Sequence, residues 1–157
     1  MVAPLLSSKY RLPSRGANAV TRSRLRHRLG AASRAALTVV AAPAGFGKTT
    51  LLTDWLAGLP PGTPSVAWLS LDRRDNDPSL FWTYVVTAMR TAMDGLGSDA
   101  LQLLASSSSS TEAALAALLN DLGGRSEDLL LVLDDYHLIE APDVHEGMIF
   151  LLEHRPP

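Results

Sequence analysis

The chain is organised around Val39-Val40-Ala41-Ala42-Pro43-Ala44-Gly45-Phe46-Gly47-Lys48-Thr49-Thr50-Leu51-Leu52. An apolar, β-prone run ends at Ala42, a glycine-containing loop follows, and a helical pattern starts at Gly47. The core reads x-x-x-x-Gly-Lys-Thr, preceded by Ala42 where the motif usually carries glycine. This is the pattern of a Walker A phosphate loop. Gly45 and Gly47 permit backbone conformations in which consecutive N–H groups converge on phosphate oxygens. The helix N-terminus behind them adds partial positive charge. Lys48 is the mobile cation for the β- and γ-phosphates, and the Thr49 hydroxyl suits the shell of a Mg²⁺ ion. The chain has two lysines, Lys9 and Lys48, against twelve arginines, so a lysine at this position is not compositional. The plainer alternative is an ordinary glycine-rich strand-to-helix turn; strand, loop and helix signals in the right order favour the phosphate loop.

With 157 residues, 46% of them hydrophobic, the chain has material for one core, and a single domain is the expectation. The absence of cysteine excludes disulfides, thiolate metal sites and a cysteine nucleophile. No apolar run approaches the ~20 residues of a membrane span, and no signal-peptide core opens the chain. A soluble, cytoplasmic protein with no membrane partner is expected. The net charge of −2 hides an asymmetry. Residues 1–36 carry eight Lys and Arg and no acid, so residues 37–157 carry the other six of the 14 basic residues and all 16 acids.

Residues 1–36 are expected to form a basic N-terminal arm with a short helix, and residues 37–157 an incomplete P-loop domain. Thr21 is a candidate cap for a helix from Arg22 to about Ala35. The arm reads as a solvated face lying over the nucleotide site and the acidic body, without specific DNA binding. Ala36–Ala42 is expected as the first strand and Val66–Leu71 as the second. Asp77-Pro78 looks like an N-cap followed by the proline favoured at a helix start, with Phe81 and Trp82 facing the core. Gly95–Ser110 reads as a loose connection with about one helical turn near Ala100–Leu104. Ser109-Ser110-Thr111-Glu112 has the spacing of a capping box.

Leu129-Leu130-Leu131-Val132-Leu133-Asp134-Asp135 is the second chemical motif. An apolar strand running into an acid describes a Walker B strand, which brings Asp134 to the carboxyl end where ligands of open α/β sheets collect. Asp134 is expected to hold Mg²⁺ through water, and Asp135 to orient or deprotonate the attacking water. Two solvated acids at a strand end are the bland alternative; their place about 85 residues after a phosphate loop favours the motif. His27, His137, His145 and His154 show no metal-ligand spacing, and no G-x-S-x-G occurs, which argues against metal and serine hydrolases.

Three stretches together resemble one family: Ala41–Thr50; Trp68-Leu69-Ser70-Leu71-Asp72 with Asp75-Asn76-Asp77-Pro78-Ser79-Leu80-Phe81-Trp82; and Leu133-Asp134-Asp135-Tyr136-His137-Leu138-Ile139. They are similar to the nucleotide-binding module of the large LuxR-type, maltose-activator-like transcription regulators, which are signal-transduction ATPases with numerous domains. The resemblance implies a P-loop NTPase fold, three-layer α/β/α with a parallel sheet, truncated here to about three strands. It implies an ATP/ADP switch with Mg²⁺, slow ATP hydrolysis in the complete protein, self-association in the ATP form, and DNA contact only through a C-terminal helix-turn-helix. By position it assigns Ala44, Gly45, Phe46, Gly47, Lys48, Thr49 and Thr50 to the phosphates, Thr49 and Asp134 to the metal, and Lys48 and Asp135 to hydrolysis. Val20-Thr21-Arg22 matches the family's Val-x-Arg element beside the nucleotide, which adds Val20 and Arg22. The family's Arg-bearing strand, winged-helix lid, repeats and DNA-binding domain have no counterpart in these residues, so a fragment or truncated reading frame is expected.

The alternatives to a regulatory switch are a metabolic P-loop phosphotransferase, for which only Arg73 and Arg74 offer lid cations after the second strand, and an inert remnant. The sheet offers a further expectation. In the regulatory group another strand separates the P-loop strand from the Walker B strand, so Ala36–Ala42 and Leu129–Asp134 are not expected to share a ladder.

Overall fold

The computed structural model describes residues 5–14, 22–32, 35–60, 64–106 and 108–156. By its contacts the chain divides into two compact units, Met1–Arg11 with Pro64–Pro157, and Leu12–Thr63. The basic stretch 1–36 is therefore shared between them.

In the larger unit, strands β1 (Ser65–Ser70) and β2 (Leu129–Asp134) pair in parallel, Ser65 opposite Leu129 through Ser70 opposite Asp134. Both are dominated by apolar side chains, as suits a parallel sheet under helices. Parallel neighbours need a long crossover, and here it consists of α3 (Pro78–Ala92), α4 (Ser98–Ala105) and α5 (Thr111–Gly123). Helix α6 (Pro142–His154) follows β2. Leu71 N donates to Asp134 O at 3.0 Å, which carries the register one residue beyond β1 and fixes the last residue of β2.

Helix α3 is the centre of this unit. Asp77 caps it by accepting from Leu80 N at 2.9 Å, and Pro78 occupies its first turn, as the sequence suggests. Phe81, Trp82, Tyr84, Val85, Val86, Ala88 and Met89 are all buried, so apolar residues cover most of its circumference. That is the pattern of a helix enclosed by neighbours, and α3 packs on β1, α4, α5 and α6. Its remaining face carries Thr83, Thr87 and Thr91, each donating to the carbonyl four residues back. Phe81 and Trp82 meet edge to face, with centroids 5.0 Å apart.

Gly147 lets α6 approach Trp82. A Cβ at that position would lie 2.6 Å from Trp82 Cζ2 and 3.0 Å from Cε2 and Nε1. Glycine to alanine inside a helix ordinarily gains up to ~1 kcal/mol. Against a ring with no exposed surface, overpacking costs about 1–3 kcal/mol and wins. Gly147→Ala is thus expected to lower the thermal midpoint; a variant that melts higher would show that Trp82 has room to move.

The N-terminal stretch belongs to the same unit. Leu6 N donates to the Tyr84 hydroxyl at 3.0 Å, and Ser70 N donates to Lys9 O at 2.8 Å. The Lys9 ammonium lies 2.7 Å from Asp75 Oδ1, 3.1 Å from Asp72 Oδ2 and 4.6 Å from the centre of the Tyr84 ring. Asp75 is fully buried, so this cation neutralises a carboxylate that water does not reach.

In the smaller unit, α1 (Ser23–Ala32) packs on α2 (Lys48–Ala57). Leu29, Trp55 and Leu56 are buried, and Arg26 Nε faces the buried Asp54 carboxylate at 3.8 Å.

Three expectations need correction. Residues 37–42, expected as part of a strand, have no regular secondary structure; Leu37 is 59% and Val39 75% exposed. A strand exists through its ladder, and β-prone side chains alone do not create one. Among the described residues the sheet therefore has two strands instead of about three, and the ladder of β2 is with β1. The connection at Gly95–Ser110 contains an eight-residue helix, α4, where about one turn was expected. The cap of α5 is Ser110, whose Oγ accepts from Ala113 N at 3.1 Å, not the Ser109 that the capping-box spacing suggests.

Candidate functional site

The phosphate-loop residues form a turn that leads directly into α2. Phe46 N donates to Pro43 O at 3.4 Å, closing residues 43–46, and Leu51 N donates to Gly47 O at 2.9 Å, starting the helix. Gly45 (φ +80°) and Gly47 (φ +76°) are both left-handed, a conformation glycine adopts without steric cost. Ala42 stands where the motif usually has glycine and is not left-handed, so its methyl group is accommodated without strain. A Cβ built on Gly45 meets nothing within 4 Å, and the residue is exposed, so this side of the turn is open to solvent.

Lys48 is the first residue of α2. Its ammonium folds back over the turn and donates to Ala42 O at 2.8 Å and Pro43 O at 3.3 Å. The cation is thereby held above the loop by carbonyls of the loop itself. Phe46 is 60% exposed, Ala44 and Thr50 are exposed, and Thr49 is half-buried. Arg22 Nη1 donates to Phe46 O at 3.3 Å, which sets this arginine beside the loop. Val20 and Thr21 lie outside the described residues.

The acid pair stands at the carboxyl end of β2. Asp134 is buried, and its Oδ1 accepts from Asp135 N at 3.1 Å. Asp135 has φ 60° and ψ 32°, the one left-handed residue other than glycine among those described. Its carboxylate is about half exposed, 3.7 Å from His137 Nδ1. A 3₁₀ turn follows at Tyr136–Leu138. Tyr136 shares a 2.8 Å hydrogen bond with His145 Nδ1 on α6, and burial pushes its hydroxyl above the ordinary tyrosine range. The loop with Lys48 belongs to one compact unit and the acid pair to the other.

Two residues emerge that motif reading did not single out. Lys9 passes for one more charge in a basic arm, yet it neutralises Asp75. Asn76 passes for part of a polar cluster, yet it bonds to the segment after the acid pair at Leu138 O, Glu140 N and Ala141 N. The Asp72 and Asp75 spacing is the signal that was available. It is a capping box, with Arg74 N donating to Asp72 at 2.8 Å and Asp72 N to Asp75 at 2.7 Å.

The parallel sheet with its helical crossover, and a glycine turn running into α2, define an α/β chain of the P-loop NTPase type. Comparison with known proteins carries this further. No family model matches the chain. Proteins named HTH-type transcriptional regulator MalT do match: 38% identity over 153 residues in Cronobacter sakazakii, 40% over 154 in Serratia proteamaculans and 39% over 153 in Yersinia enterocolitica. Each alignment covers 97% of this chain and 16% of the relative. Over nearly all its residues the chain is therefore a homologue of the MalT-type transcriptional regulators, and it spans about a sixth of their length. No helix among the described residues is long and apolar enough to cross a membrane.

Proposed function

We propose that this chain is the nucleotide-binding switch segment of a MalT-like transcription regulator, taking ATP or ADP with Mg²⁺. The observation that carries the reading is the Lys48 ammonium at the head of α2, held over an exposed turn with two left-handed glycines. The donor set suits a phosphate chain: a mobile cation, a helix N-terminus and a turn whose backbone is free to approach an anion.

In this reading the backbone of Ala44–Thr50 and the Lys48 ammonium bind phosphate oxygens. Binding withdraws Lys48 from Ala42 O and Pro43 O. Arg22 braces the turn through Phe46 O, and Val20 is assigned beside it by position. By position in the family motifs, Thr49 and Asp134, each in its own unit, would be the oxygen donors assigned to Mg²⁺, an ion commonly held by one or two carboxylates together with substrate phosphates. When bound, Mg²⁺ neutralises charge on the phosphates. Asp135 has a solvent-facing carboxylate and accepts a proton from, or orients, a water. Hydrolysis is slow and serves to reset the switch. Self-association in the ATP form, DNA contact through a C-terminal domain and a cytoplasmic location are assigned to the complete regulator.

The test is equilibrium titration of the chain with fluorescent ATP and ADP, with and without Mg²⁺. Saturable, Mg²⁺-dependent binding that unlabelled ATP displaces is expected. No displaceable binding at millimolar nucleotide would overturn the reading.

A further inference from the structure

We propose that Asn76 is the positioning residue of the acid pair. It fixes the loop after β2 so that Asp135 is held in its left-handed conformation. The chemical consequence rests on the nucleotide-binding reading; the structural claim does not.

A primary amide has two N–H donors and two acceptor lone pairs, and Asn76 uses all four. Nδ2 donates to Arg73 O at 3.1 Å and to Leu138 O at 2.9 Å. Oδ1 accepts from Glu140 N at 2.6 Å and Ala141 N at 2.9 Å. The side chain thus joins the turn after β1 to a segment more than sixty residues away in sequence. Aspartate would keep the acceptors and lose both donors. An apolar residue would lose all four contacts.

The loop is held by this amide together with Tyr136, whose hydroxyl shares a 2.8 Å hydrogen bond with His145 Nδ1 on α6, and with Ile139, which is buried in the core. At its start the β2 ladder fixes Asp134. Leu138 N donates to Asp135 O and Ile139 N to Tyr136 O, both at 3.0 Å, which closes the 3₁₀ turn. Asn76 then holds Leu138, Glu140 and Ala141, at the entry to α6. Asp135 lies between two pinned ends. A left-handed residue with a Cβ is disfavoured, and such conformations persist where surroundings over-determine them. Asn76 supplies part of that over-determination, and it is itself anchored, because its neighbour Asp75 is gripped by Lys9 and by Asp72 N.

None of the four Asn76 hydrogen bonds goes to the Asp135 carboxylate, so the residue acts through the backbone. A residue that only capped α6 would lose protection at residues 140 and 141 without disturbing Asp135. Positioning moves Asp135 as well.

The test uses NMR on the full chain for wild type, Asn76→Ala, Asn76→Asp and the control Asp121→Asn. The control removes a carboxylate that accepts from Gly97 N at 2.7 Å and from Arg125 Nε at 3.3 Å, neither of them in the loop after β2. In Asn76→Ala, Glu140 and Ala141 amides are expected to exchange about 10-fold faster or more. Asp135 Cα and Cβ shifts should leave left-handed values, and the β1–β2 amides should stay protected. Asn76→Asp keeps the acceptor bonds, covers the case in which the alanine variant does not fold, and should disturb Asp135 less. The control should leave Asp135 unmoved. Unaltered Asp135 shifts in a folded Asn76 variant whose residue 140 and 141 amides are exposed would overturn the proposal, as would an equal movement in the control. Mn²⁺-ATP broadening separates the two claims. Its absence at Asp134 in wild type removes the nucleotide reading, while the Asp135 shifts still decide the role of Asn76.

Discussion

Lys9→Met is expected to destabilise the chain by about 3–5 kcal/mol, the usual consequence of leaving a buried charge without its partner. For a domain of this size that is a drop of about 6–20 °C in thermal midpoint. Methionine keeps most of the length and the apolar stem, and the Ser70 N to Lys9 O bond is made by backbone, so the loss isolates the ammonium. What remains is Asp75, with no exposed surface and one backbone donor, Asp72 N. The double variant Lys9→Met/Asp75→Asn removes both charges and should recover a large part of the loss. A double variant no more stable than Lys9→Met alone would show that packing, not charge, holds the arm. Acid should act on the same cluster. The Asp72 carboxyl is held below its ordinary value, first by the Arg74 N–H and then by Lys9, against a desolvation effect that raises it. A depressed carboxyl contributes stability that is complete above its unfolded value of 3.8 and is lost as pH falls through the lower folded value. Chemical-denaturation midpoints should therefore fall below about pH 4, and less steeply in Asp72→Asn.

Lys48→Ala should raise the dissociation constant for Mg-ATP by about 10- to 100-fold, the equivalent of one or two charge-assisted hydrogen bonds. Stability should change by less than about 1 kcal/mol, since the ammonium bonds only to two carbonyls at the protein surface. The pairing of a large binding effect with an unchanged circular dichroism spectrum and melting curve distinguishes a phosphate loop from a structural turn. Lys48→Arg is the sharper comparison. Charge is retained, but a planar guanidinium does not replace a compact ammonium above so tight a turn. Wild-type affinity in the alanine variant would remove Lys48 from the site, and with it the principal support for the proposed switch.

Much of the larger unit was legible from local chemistry. Asp77-Pro78 starts α3 because a short acid caps free N–H groups and proline has no N–H to satisfy. The run Leu129–Leu133 gives β2. Gly45, Gly47 and Lys48 could be placed because glycine's freedom and a helix start are properties of adjacent residues. The failures have separate causes. Residues 37–42 have the side chains of a strand, but a strand is defined by a neighbour that no local pattern contains. The helix α4 was underestimated because Gly95, Gly97 and the serine run flanking it read as loop.

The sequence by itself determined the chemical inventory of this protein: a glycine turn running into a helix headed by Lys48, an apolar strand ending in two acids, and no cysteine. Those follow from residue type and spacing over a few positions. Only the tertiary structure decided that Lys9 is a buried counter-ion, that Asn76 joins the two strand ends, and that Asp135 is left-handed. The first two depend on groups about sixty or more residues apart: Lys9 meets Asp75 where the N-terminal stretch runs beside the end of β1, and Asn76 meets Leu138 where β1 and β2 pair in parallel across the α3–α5 crossover. Hydrogen bonding and charge neutralisation are decided by distance in space, and a parallel crossover sets that distance with little trace in local sequence.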